Sequence, residues 1–199
     1  MKITMSIRVL TCMALALSPA CLNLTPEPAP PTRWLSPMPA PSKPGTSGTG
    51  TKTPQPKVPS LRLGAVTASD AITDQLIQRI SEVELTYLTN ARWAESPAVV
   101  VQRMLEDELF QRCGFVSDAG AERRLDIQVI QFEEHLEPRR EGRVALIAKL
   151  VDGDGKALMH RRFQASLPTG GEDPALVAEA LTKGLQSVVQ EISELLALK

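Results

Sequence analysis

The feature that most limits the fold lies at the end of the chain. Asp173 and Pro174 precede a run in which Val177, Leu181, Leu185, Val188, Ile192 and Leu195 recur at intervals of three and four, the period of one helical face. Aspartate caps free helix amides, and proline at the first helical position sacrifices no hydrogen bond. A helix is therefore predicted from Pro174 to the C-terminus. Its stripe lasts only about three heptads, which favours packing on a sheet over a coiled-coil or partner seam. A helix with such an apolar face needs a second layer.

The sequence supplies strands for that layer. Leu61, Leu63, Ala65 and Thr67 alternate with other residues from Ser60 onward, as do Val144, Leu146, Ala148 and Leu150, and then Ala157, Met159, Arg161 and Phe163. Alternation of period two marks a strand with one better-buried face. Leu125, Ile127 and Val129 alternate too, but Ile130 and Phe132 fall on the other parity, predicting a bulge near Val129. Gln75 to Ile80 and Val83 to Leu88 alternate more weakly and are read as short strands, with a helical turn from Asp74 to Ile80 as the alternative. Asp152-Gly153-Asp154-Gly155 reads as a hairpin turn, since Gly and Asp tolerate positive φ. Its likeness to a calcium loop fails because the later ligands, including a bidentate Glu, are missing. Ser96-Pro97 is a second helix start, followed by Val100, Val101, Met104, Leu105 and Leu109 at helical spacing and by Gly114 as the stop. The element order predicts an α+β fold, a two-layer sandwich whose antiparallel or mixed sheet carries two main helices on one face.

The first twenty residues have the layout of an export signal: Lys2 and Arg8, an apolar run from Val9 to Leu17, then Ser18 and Ala20 before Cys21. The run is about half the ~20 residues a membrane-spanning helix needs. A cysteine at that place is read as a lipid-attachment site, at which acyl chains would anchor the chain firmly. Leu17 stands four positions before the cysteine rather than the usual three. Ordinary cleavage after Ala20, leaving a soluble periplasmic protein, is the other reading. From Thr25 to Pro59 the chain holds eleven of its sixteen prolines, with glycines, serines and threonines between them. Such a segment buries too little apolar surface to offset its ordering entropy. The chain thus divides into a signal at 1–20, the lipid-attachment cysteine with a Pro/Gly-rich tether at 21–59, and one domain at 60–199.

Catalytic chemistry finds little support. A formal net charge of -1 gives no electrostatic case for nucleic acid. The two histidines, His135 and His160, are read as surface residues. Cys113 is read as a small buried apolar residue and Glu106-Asp107-Glu108 as a solvated run. Glu133 and Glu134 are adjacent and would face opposite sides of a strand, a poor catalytic dyad. No zinc spacing, phosphate-cradling loop or dinucleotide fingerprint occurs. The expectation is a protein that is not an enzyme and needs no cofactor or metal. The mixed-sign stretch Glu133 to Arg143 is read as an exposed, solvated hairpin, with a docking loop as the alternative.

Asn90-Ala91-Arg92-Trp93-Ala94-Glu95-Ser96-Pro97, leading into a helix with Val101, Arg103, Leu105 and Leu109, resembles the Trp-Ala-Glu-Pro-like turn of the ABC-type transport auxiliary lipoproteins, the PqiC-like family. The likeness continues through Phe132-Glu133, the turn at Asp152 to Gly155, Arg161-Arg162-Phe163 and the final helix. It covers about Leu61 to Leu198. That family usually carries an aromatic residue and Leu shortly after its lipid cysteine. Trp34-Leu35 echoes this but is followed by a long Pro/Gly insertion. The resemblance implies a periplasm-facing accessory lipoprotein of an envelope lipid-transport system, and Leu22 after the cysteine, where an Asp would hold some lipoproteins at the inner membrane, favours the outer membrane. Its implied partners are an MCE-type substrate-binding protein and an inner-membrane ABC transporter, with self-association left open. A periplasmic lipid carrier and a structural lipoprotein of another envelope complex are the alternatives. Trp93 is read as a structural ring at a strand-to-helix corner, or else as a docking anchor.

Overall fold

The computed structural model describes residues 30–37 and 59–198. Cys21, the signal and most of the Pro/Gly-rich segment lie outside the described residues. In chain order the elements are β1 (Arg33–Leu35), β2 (Ser60–Ala68), β3 (Gln75–Arg79), β4 (Leu85–Trp93), α1 (Pro97–Glu106) continued by a π-helical segment (Asp107–Arg112), β5 (Val116–Ser117), β6 (Arg124–His135), β7 (Glu141–Val151), β8 (Ala157–Pro168) and α2 (Pro174–Ala197).

The fold is α+β, with an open, mixed sheet of eight strands built around β6. One edge of β6 carries β7, antiparallel along its whole length, and β7 carries β8. Two strands share the other edge in succession: β2 lies parallel beside Arg124 to Val129, and β3 parallel beside Glu133 to His135. From β3 the sheet continues to antiparallel β4 and parallel β1, while β2 carries the two-residue β5. The register of β6 against β7 slips between Val129 and Gln131, which is the bulge that the switch of parity predicted.

Both helices cover one face, α2 over β7 and β8 and α1 over β2. Leu105, Leu109, Leu125, Leu146, Leu181, Leu185 and Ile192 are fully buried between the layers, and each such side chain contributes about 1.5–3 kcal/mol. The two helix starts differ. Asp173 Oδ1 accepts from the Ala175 amide at 2.9 Å, whereas the Ser96 side chain makes no capping bond. α1 therefore begins on Pro97 and on the Val100 amide donating to the Ser96 carbonyl at 3.1 Å. Gly114, at φ 72, ends the helical run in the left-handed conformation expected of it.

α2 lies close against β7 at Gly142. A Cβ built there would stand 3.2 Å from Leu181 Cγ and Cδ2 and 3.3 Å from Ala180 Cβ, so a larger residue must push the helix away. Gly142→Val is expected to destabilise the domain by about 1–3 kcal/mol, as overpacking of a filled core does. A urea denaturation curve checks this. An unchanged midpoint would mean that α2 does not seat on β7 as described.

Ahead of Ser60, Arg33–Leu35 pairs in parallel with Ala91 to Trp93. Two expectations are corrected. Cys113 is exposed rather than buried, because it sits where the helical run gives way to the Gly114 turn. His135 is 8% exposed rather than at the surface, because β6 extends through it, whereas His160 is exposed.

Candidate docking site

The stretch read as a solvated hairpin is mostly sheet. Only residues 136–140 link β6 to β7, and Glu133, Glu134, His135 and Glu141 are all buried. Burying carboxylates is costly unless each is paired and hydrogen-bonded, and each of these is. On the face away from the helices, Arg79 of β3 forks onto Glu133, Nε donating to Oε1 at 2.7 Å and Nη2 to Oε2 at 3.1 Å. Gln131 Nε2 donates to the same Oε1 at 2.8 Å, and His135 Nε2 lies 2.9 Å from it. Burial pushes the Glu133 carboxyl up, but the bonds from Arg79, Gln131 and His135 more than offset this, leaving it below its ordinary value.

Beside this group Arg143 donates to Glu141 through Nε at 2.8 Å and through Nη2, and Arg139 Nε approaches the second carboxylate oxygen to 3.7 Å. The Arg143 bonds, partly opposed by burial, hold Glu141 below the usual carboxylate range. Across the sheet, fully buried Glu134 accepts from Gln78 Nε2 at 2.7 Å, Arg140 Nη1 at 3.2 Å and Thr169 Oγ1 at 3.5 Å. Glu133 and Glu134 thus face opposite sides, as strand alternation requires.

The bonds of Arg79 and Gln78 tie β3 to β6, the Arg143–Glu141 pair lies within β7, and a fringe stands above them. A cleft of about 450 Å³ opens there, lined by Arg79, Ile80, Glu82, Glu137, Pro138 and Arg143. Glu82 and Glu137 at its rim are exposed, as are Arg139 in the link from β6 to β7, its side chain 78% exposed, and Val83 at the turn before β4, 95% exposed. Val83 is thus an exposed apolar tip among charges of both signs. His135 Nε2 is engaged by both Glu133 and Gln131. Among the described residues no group of three His, Cys, Asp or Glu could hold a metal ion, and no helix is long and apolar enough to cross a membrane.

Of the two residues singled out in the sequence, Cys21 lies outside the described residues. Trp93 is 2% exposed, its ring edge-on to Phe132 with centroids 5.2 Å apart. It offers no surface to a partner. Arg79 was missed, because it reaches Glu133 from a strand 54 residues away.

A family model described as "ABC-type transport auxiliary lipoprotein component" matches residues 42–193. Among solved structures, a Xanthomonas campestris protein of the DUF330 family is 23% identical, with a TM-score of 0.66 over 73% of this chain and 90% of its own. An uncharacterized protein is 18% identical, with a TM-score of 0.58 over 71% of this chain and 94% of its own. A hypothetical protein from Chlamydia trachomatis is 7% identical, with a TM-score of 0.50 over 70% and 96%. At these identities the likeness is one of fold. No curated protein matches the sequence.

Proposed function

Because the chain belongs to the family of ABC-type transport auxiliary lipoprotein components, we propose that it is a periplasm-facing accessory subunit of an ABC/MCE-type envelope lipid-transport system. It works by docking protein and carries out no reaction. Acyl chains on Cys21 hold it to the outer membrane, and the fringe of Val83, Glu82, Glu137 and Arg139 meets an MCE-type substrate-binding protein of the transporter. The observation that carries this reading is the braced sheet end, where buried, paired carboxylates hold β3 and the ends of β6 and β7 beneath the exposed residues Glu82, Val83, Glu137 and Arg139.

The anchor and the docking surface are tested separately. Full-length chain expressed in a Gram-negative host is expected to gain the mass of its acyl chains and to fractionate with membranes, and Cys21→Ser to lose both. A native chain that is soluble and unacylated would sink the anchor. For docking, capture of the MCE-type protein from detergent-solubilised envelopes is expected to fall about ten-fold with Arg139→Glu, the loss of roughly 1.4 kcal/mol that a reversed interface charge produces. Arg139 is exposed, its pairing to Glu141 is long, and Glu141 keeps its bonds from Arg143, so the loss of stability should be small, which a urea curve checks. Undiminished capture by Arg139→Glu would place the interface elsewhere.

A further inference from the structure

A second surface lies where β1 meets α2. β1 is an edge strand, and between it and α2 runs a cleft of about 530 Å³ lined by Trp34, Leu35, Ala175, Ala178 and Thr182. Leu35 is buried at its floor, whereas Trp34 at its mouth is 64% exposed.

The path of the chain determines what this surface can meet. Arg33 stands twelve residues after Cys21, and fully extended chain spans at most about 3.3–3.6 Å per residue, so the strand lies within about 40 Å of the cysteine. The Pro/Gly-rich segment does not lengthen this leash. Cys21 precedes β1 in the sequence and most of that segment follows it.

The charges at the cleft are matched. Arg33 Nη1 meets Asp173 Oδ1 at 2.7 Å, and Lys183 Nζ meets Glu179 Oε1 at 2.7 Å. Two cations and two anions leave a neutral rim around an exposed indole. That suits the zwitterionic, partly apolar boundary of a bilayer, where a ring with an apolar body and an N–H donor settles, better than it suits a strongly charged protein face.

We propose that the β1/α2 margin is a membrane-contact surface, in which Trp34 rests in the interfacial zone of the bilayer that carries Cys21. This rests on the lipoprotein reading above. The short leash keeps the margin at high effective concentration near the bilayer, so a single aromatic anchor suffices to orient the domain.

The acylated full-length chain in phosphatidylcholine vesicles, part of whose lipid is brominated near the headgroup, provides the test. Flotation reports the anchor and tryptophan emission reports the contact. Trp93 is buried in the core, so the difference between native chain and Trp34→Phe isolates Trp34. Its emission is expected to shift to the blue and to fall about two-fold at interfacial quencher depth, while Trp34→Phe floats equally well and loses the quenched component. A chain that floats but whose Trp34 emission is unchanged would overturn the membrane contact and leave the lipoprotein intact. A blue shift that grows with protein concentration and ignores the quencher would assign the cleft to a second copy of the chain and would also overturn it. A chain that carries no acyl mass and does not float would remove the anchor, and the proposal with it.

Discussion

Trp93→Ala is expected to cost the domain about 3–5 kcal/mol, the range for truncating a fully buried aromatic side chain. The ring is 2% exposed and meets Phe132 edge-on at an interplanar angle of 62°. It also sits at a junction. The Trp93 amide donates to the Asp74 carbonyl at 2.6 Å, and its position in β4 pairs with Leu35 of β1, so a cavity there loosens three elements at once. With a urea m-value of about 1–3 kcal/mol/M, the midpoint should fall by more than 1 M. Trp93→Phe should cost much less. Buried Trp93 Nε1 has no hydrogen-bond partner, so removing that N–H relieves a desolvation cost while most of the ring remains. A loss under about 1 kcal/mol for Trp93→Ala would contradict the burial described.

Arg79→Met should approach the same size, with a dependence on pH that a packing defect would not have. Removing one member of a buried ion pair costs about 3–5 kcal/mol, because the remaining charge is left uncompensated, and Glu133 is only 4% exposed. In the native protein the folded-state pKa of Glu133 lies below the ordinary 4.5. Its contribution is therefore fully present above that value and is lost as pH falls through the lower, folded one. Without Arg79, burial becomes the stronger influence and raises the carboxyl. The variant's deficit should accordingly be greatest near neutrality and shrink in acid, where Glu133 is protonated in both proteins. Urea curves for the two proteins across that range read the difference. A deficit constant with pH would mean that Arg79 acts through its packing alone.

Much of the fold was legible because it is written in local periods. The stripe of α2, the parity switch at Val129 and the turn at Asp152, whose side chain accepts from the Asp154 and Lys156 amides at 3.1 and 2.8 Å, each depend on residues close in sequence. β1 was not legible. Three residues among prolines carry no period, and the strand exists only because β4 offers it an edge. The buried carboxylates were misread because charged residues are usually solvated, and the partner that permits burial comes from β3. A signal was nevertheless present: Gln131, Glu133 and His135 continue the alternation of β6 opposite Phe132 and Glu134. Following the period of two through the charged run would have extended the strand to His135 and set Glu133 beside Gln131 and His135.

Titration of the acylated full-length chain in detergent against the periplasmic part of the MCE-type protein from the same cell, followed by interferometry or calorimetry, tests the central claim most directly. The account predicts saturable binding at about micromolar Kd or tighter, weakened by Arg139→Glu and indifferent to Trp34→Phe. No binding at concentrations about a hundred-fold higher, from a chain shown to be folded and acylated, would contradict it.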